Sequence, residues 1–334
     1  EMDFIDLKTQ QLKIKEKVDE RIKAVLSHGK YIMGPEVIEL EEKLADYVGV
    51  KYCISCSSGT DALLIPLMAK GIGPGDAVIT TPFTYIATAE VVSLLGAEPI
   101  FVDIYESTYN INPNGIEKAI QEAERKGLVA KAIIPVDLFG LPARYRLIED
   151  LAKKYGLMII EDAAQGFGGQ IRGEKAGSFG DVASTSFFPA KPLGCYGDGG
   201  AIFTNNEELA LRMKSIRVHG SGLDKYENVR IGINGRLDTI QAAILLEKLH
   251  IFDEEFASRN KIAECYSKNI TSDVKKPFIP KDYLSSWAQY SLLSNSEHKR
   301  DEIMSRLAEK NIPSMIYYKR PLHLQVAFKK LGYE

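Results

Sequence analysis

The sequence predicts an α/β fold built on a mostly parallel sheet with helices on both faces. Three observations carry this. Short β-branched apolar segments alternate with helical segments from about residue 34 to about residue 240, as βαβ units require. The strand segments, such as "GLMII" and "KAIIP", are near-continuous apolar runs, the pattern of strands covered on both sides. Three of the predicted strands end in polar residues, and the carboxyl ends of strands are where open α/β sheets bind ligands.

Along the chain, Leu12, Ile14, Val18, Ile22, Val25 and Leu26 repeat at helical spacing. "GPEVIELEEKLADYVG" (34–49) forms a second helix, opened by Pro35 and closed by Gly49. "YCIS" is a short strand. "SSGTDALLIPLMAKGIG" starts a helix with small polar residues. "DAVITTPFTYIATAEVVSLLGAEPIFVDI" runs strand, loop, helix, strand; "KAIIPVDLFG", "GLMIIEDAA" and "VASTSFF" are further strands. "YRLIEDLAKKY" and "EELALRMKSIRVH" are helical, and "DTIQAAILLEKLHIFDEEFASRNKIAECYSKNI" is one long helix. Beyond it, 271–334 looks irregular, with short strands such as "AQYSLL". This places a large domain at 1–250 and a small C-terminal domain at 251–334.

Composition narrows the function. The 334 residues are 45% hydrophobic and 26% charged, ordinary for a globular protein. A net charge of −3 without a basic tract argues against nucleic-acid binding. No apolar run approaches a membrane span, and "EMDFIDLKTQQLKIKEK" lacks a signal-peptide core, so the expectation is a cytoplasmic protein. Cys53 and Cys56 have CxxC spacing, but Cys195 and Cys265 stand alone. The expectation is four packing cysteines and no metal site.

The polar strand ends hold the candidate chemistry. Ser58-Gly59-Thr60 leaves free N–H groups at a helix N-terminus, where an anion is favoured; a plain N-cap explains the same residues. Asp162 ends an apolar strand. A carboxylate there either caps the next helix or faces a ring nitrogen and keeps it protonated, with Gln165 in reach of a ring hydroxyl. In "SFFPAKPLGCYGDGGA" Lys191 stands among Phe187, Phe188, Leu193 and glycines, which do not make a solvated face. Desolvation lowers a lysine's pKa and makes it a nucleophile toward carbonyls. Asp198 remains a simple ion-pair partner for it. Tyr85 follows a strand and could cover a planar ring, or could pack in the core.

Together, "HGKYIMGPEVIELEEKLADYVG", "SSGTDAL", "TPFTYIATA", "IIEDAAQGFG", "GSFGDVASTSFFPAKPLGCYGDGGA", "RVHG", "NGRLDTIQAAIL" and "YYKRPLHLQ" resemble, in order, the pyridoxal-phosphate-dependent nucleotide-sugar aminotransferases of the StrS/DegT type. The resemblance implies the aspartate-aminotransferase (type I) fold. It implies that Lys191 holds pyridoxal phosphate covalently, that Asp162 pairs with the pyridine nitrogen, that Gln165 contacts the ring hydroxyl and that Tyr85 stacks on the ring. Gly59, Thr60 and Ser186 would hold the phosphate. Asn234 would reach the phosphate of the neighbouring subunit, making a homodimer with shared sites. Pyridoxamine phosphate would be the intermediate cofactor form and L-glutamate the amino donor.

Among family members the resemblance is to those that aminate C3 of UDP-2-acetamido-2-deoxy-3-oxo-glucuronate for surface polysaccharide. Arg236 would then clamp a sugar carboxylate, and Gly29, Tyr31, Tyr317 and Tyr318 would line the sugar-nucleotide site. Two departures touch that site: Tyr317 stands where relatives usually have histidine, and Ala190 where they tend to have serine or threonine. The chain also stops where relatives continue. A UDP-4-oxo- or dTDP-3-oxo-hexose is the alternative substrate, and a non-catalytic regulatory paralogue the remote one. Lys191 argues against the family branch that replaces this lysine with histidine.

Overall fold

The computed structural model describes residues 2–224, 226–271 and 273–333. Seven strands form the main sheet: β1 (Tyr52–Cys56), β2 (Asp76–Thr80), β3 (Glu98–Phe101), β4 (Val129–Ile133), β5 (Met158–Asp162), β6 (Val182–Ser186) and β7 (Gly200–Thr204). Their spatial order is β1-β7-β6-β5-β4-β2-β3. β7 runs antiparallel to both its neighbours, and the other pairings are parallel.

Nine helices are described: α1 (Leu7–His28), α2 (Pro35–Val48), α3 (Gly59–Lys70), α4 (Ala87–Leu94), α5 (Ile116–Arg125), α6 (Tyr145–Tyr155), α7 (Glu207–Arg217), α8 (Thr239–Asn269) and α9 (Glu297–Glu309). Residues of α3, α4 and α7 cover one sheet face. The other face is shared by α2 and α8 at the β1 end and by α5 and α6 at the β3 end. Hence β2, β5, β6 and β7 are buried along their whole length, which is why their sequences do not alternate.

The sequence reading passes over α5 and α9. α5 has four buried residues at helical spacing but a charged exterior. α9 has no buried residue, so no apolar stripe announces it; Ser296 caps its first turn by accepting from Lys299 N–H. Position 250 lies inside the unbroken α8, so the large and small parts share that helix. The C-terminal segment is also stitched to the main body: Tyr283–Leu284 pairs with Gln170–Ile171, and Leu322 N–H donates to the Pro82 carbonyl at 2.7 Å.

Cys53, Cys56 and Cys195 are buried packing residues, as expected. Burial pushes the Cys53 thiol up, and the Cys195 thiol to about 11, away from reactive thiolates. Cys265 departs from the expectation: it is exposed on α8, on the other side of its turn from the buried Ala263. Among the described residues there is no cluster of metal-ligating side chains, and no helix is long and apolar enough to cross a membrane.

Candidate active site

The three polar strand ends lie side by side at one edge of the sheet, since β6 is bonded to both β5 and β7 and α3 packs across them. Asp162 is the last residue of β5. Its Oδ2 accepts from Thr88 Oγ1 at 2.9 Å and its Oδ1 from Ala164 N–H at 3.2 Å. Thr84 Oγ1 lies 3.1 Å from Thr88 Oγ1, so α4 and the loop before it present a short hydroxyl chain to this carboxylate. Burial raises the Asp162 pKa, while Thr88, Ala164 and the charge of Lys191 pull it back. A carboxylate buried with so little compensation is suited to a cationic partner such as a protonated ring nitrogen.

Lys191 sits in the turn after β6, where its N–H donates to the Phe188 carbonyl at 2.8 Å. Loss of hydration lowers its amine pKa, partly offset by Asp162. The alternative partner does not meet it: Asp198 is exposed, and no described ion pair joins it to Lys191. Phe187 is fully buried beneath the turn. An amine so placed gives up its proton more readily than a solvated lysine does.

Gly59 opens α3 against Ser186. A Cβ at position 59 would lie 2.5 Å from the Ser186 Cβ, so only glycine permits this approach of the two backbones. Ser58 caps the helix by accepting from Asp61 N–H at 3.1 Å. The remaining first-turn amides have no partner inside the helix. Together with the Thr60 and Ser186 hydroxyls they make a cradle of the kind that takes a phosphate. Gly59→Ala is expected to cost about 1–3 kcal/mol by overpacking and to weaken cofactor binding, as pyridoxal phosphate titration would show.

Gln165 is fixed from both ends of its amide. Its Oε1 accepts from Phe139 N–H at 2.6 Å, and its Nε2 donates to Tyr318 Oη at 3.2 Å. Tyr318 is therefore a direct neighbour of Gln165. Burial pushes its hydroxyl up to about 12, with Asp162, Tyr317 and Tyr85 contributing. Tyr85 is exposed, one turn before Thr88, and so is not a core residue. Tyr317 and Tyr318 pack against Phe83, Tyr109 and Phe139.

A second group of predicted residues gathers nearby. Thr239 N–H donates to the Tyr31 carbonyl, Ile32 bridges Asp238, and Ser57 N–H donates to the Gly235 carbonyl at 3.0 Å. These backbone contacts join the segment around Tyr31 to the start of α8 and the 234–236 segment to the residues just before α3. Gly29 closes α1 with φ +69°, a left-handed conformation that favours glycine. Tyr31 and Asn234 are exposed, and the buried Arg236 Nε has no hydrogen-bond partner among the described residues.

Sequence reasoning singled out neither Thr88 nor Asp137. Both lie in quoted segments, but nothing in a linear reading says that α4 would aim Thr88 at Asp162, or that residue 137 would pack under residue 161.

The chain matches the DegT/DnrJ/EryC1/StrS aminotransferase family over residues 12–334. It is 51% identical to UDP-2-acetamido-2-deoxy-3-oxo-D-glucuronate aminotransferase of Pseudomonas aeruginosa, over 98% of this chain and 88% of that protein. Its structure resembles that of a DegT DnrJ EryC1 StrS aminotransferase from Brucella abortus with TM-score 0.95 and 52% identity, covering 98% of this chain and 88% of that one. It also resembles NtdA of Bacillus subtilis with the cofactor PMP bound, with TM-score 0.87 and 32% identity, covering 96% and 74%.

Proposed function

Because the chain belongs to the DegT/DnrJ/EryC1/StrS aminotransferase family, and is a pyridoxal-phosphate-dependent enzyme acting on keto groups of nucleotide sugars, we propose that it transfers the amino group of L-glutamate to C3 of UDP-2-acetamido-2-deoxy-3-oxo-glucuronate. The product would serve surface-polysaccharide synthesis. The observation that carries the uronate is Arg236, whose buried Nε has no partner among the described residues and which follows Gly235, bonded to Ser57 just before α3. A planar guanidinium binds a carboxylate bidentately. The 51% identity to the Pseudomonas enzyme supports the same substrate.

In this reading Gly59, Thr60 and Ser186 hold the cofactor's phosphate, Asp162 faces its pyridine nitrogen, Gln165 its ring hydroxyl, and Tyr85 the ring face. When bound, the cofactor supplies a reactive carbonyl carbon and a ring that withdraws electron density. Lys191 Nζ, whose pKa its surroundings lower, takes the proton from the amino donor's Cα and delivers it within the site. The same amine runs the reverse transfer toward the sugar's carbonyl carbon. Asp162 supplies the negative charge that faces the ring nitrogen, and Thr88 holds its Oδ2 in place. Asn234, exposed on its loop, serves the site of a second copy, so the active unit is a homodimer.

The test is a panel of UDP- and dTDP-linked ketosugars with glutamate, the position of the new amino group being assigned by NMR. Efficient turnover of only a dTDP-3-oxo-hexose or a UDP-4-oxo-hexose would overturn the uronate assignment. Arg236→Ala is expected to cost about ten- to hundredfold in kcat/KM on the uronate, the worth of a charged hydrogen-bond pair, with neutral sugars far less affected. Equal losses on both would remove the clamp.

A further inference from the structure

Behind Asp162 lie two more buried carboxyls that the reaction does not use. Asp137, after β4, is fully buried: its Oδ1 accepts from Ala143 N–H at 2.9 Å and from Tyr145 Oη at 2.7 Å, while Oδ2 has no donor among the described residues. Glu161, fully buried on β5, accepts from Gly177 N–H and Phe179 N–H, each at 2.8 Å. The two buried carboxyls act on each other electrostatically, and Asp137 Oδ2 is left without a donor among the described residues. Two ionised carboxylates there would bury like charges beside an orphan oxygen; one shared proton removes both costs. Gly166 gives the room: a Cβ there would lie 2.5 Å from Asp137 Oδ2.

We propose that Asp137 and Glu161 share one proton, Glu161 donating to Asp137 Oδ2, and that the pair is a positioning clamp for the catalytic edge. The orphan oxygen then has its donor. The clamp ties three segments together: the turn at 143–145, the loop at 177–179 and the end of β5. From it, Asp137 N–H donates to the Asp162 carbonyl at 3.0 Å, and Phe139 N–H, two residues on, orients the Gln165 amide. That role rests on the reading of Asp162 and Gln165 as ring contacts; the shared proton does not.

The groups acting on the pair are Tyr145 from α6, Asp162 on the same strand, which faces Lys191, and Tyr283 from the docked C-terminal strand. Burial pushes Asp137 up to about 7 and Glu161 well above the usual carboxylate range. Folded values above the unfolded ones mean that the native state keeps protons which the unfolded chain releases above about pH 5. Stability is therefore lost as pH rises, about tenfold in the unfolding constant per pH unit for each proton retained.

The experiment compares denaturant unfolding of the full-length chain, saturated with pyridoxal phosphate, from about pH 5 to about pH 8 in wild type, Asp137→Asn and Glu161→Gln. Asp137→Asn supplies the missing donor without a titrating proton, and Glu161→Gln removes the titrating proton although its Nε2 must then face the Gly177 or Phe179 N–H; both variants should lose most of the wild-type decline. A decline equal to that of wild type in either variant overturns the shared proton. Infrared spectroscopy gives a second readout: wild type must show a protonated-carboxyl band at the alkaline end that both variants lack, and its absence in wild type overturns the pair even if the variants do not fold. For positioning, Asp137→Ala should shift the visible band of bound cofactor or its pH midpoint, and Asp137→Asn should restore it. An unchanged spectrum in Asp137→Ala overturns the clamp. Failure of wild type to bind the cofactor would instead count against the functional reading.

Discussion

Lys191→Ala is expected to lower kcat/KM for amino-group transfer by about 10⁴-fold, the upper range for a residue acting as both nucleophile and proton carrier. The side chain stands in a turn floored by the buried Phe187, and loss of hydration lowers its pKa. Both functions need the neutral amine, so the acidic limb of the wild-type pH profile should fall below the usual lysine range. Lys191→Arg should fail as severely, because a guanidinium keeps its charge and cannot carry the proton. Borohydride reduction of the wild-type holoenzyme followed by peptide mass analysis should place the cofactor on residue 191, and nothing should be attached in the alanine variant. Activity within tenfold of wild type in that variant would refute the role.

The second large effect is expected from Asp162→Asn, a loss of about 10²–10³-fold in kcat, the scale of a single preorganised electrostatic group. The amide keeps the size of the side chain and can still meet Thr88 and Ala164, so the protein should fold and take up cofactor. What it lacks is the charge. Burial raises the Asp162 pKa, so in the free protein its ionised form is destabilised and a cationic partner relieves it. Loading with pyridoxal phosphate should therefore raise Tm more in wild type than in Asp162→Asn. An unchanged kcat together with an equal gain in Tm would refute the pairing.

Some of this site was legible in the chain. Lys191 is marked by its dry, glycine-rich surroundings, Asp162 by its place at the end of an apolar strand, and Ser58-Gly59-Thr60 by small polar residues before a helix. Those signals are local, and each concerns a cost that a residue carries wherever the rest of the fold lies. α9 escaped notice because it buries nothing. Cys265 was expected inside but stands outside, because helical spacing does not say which side of each turn of a 31-residue helix is covered.

By itself the sequence determined the alternating architecture and singled out Lys191, Asp162 and the small polar residues before α3 as the candidates for chemistry. Periodicity, burial cost and backbone freedom are properties of neighbouring residues, and the chain states them directly. Only the tertiary structure decided which distant residues meet: Thr88 with Asp162, Phe139 with Gln165, Ser57 with Gly235, and Asp137 with Glu161. Those contacts depend on strand order and helix packing, where a carboxyl, a hydroxyl or an amide acquires its role from a partner tens of residues away.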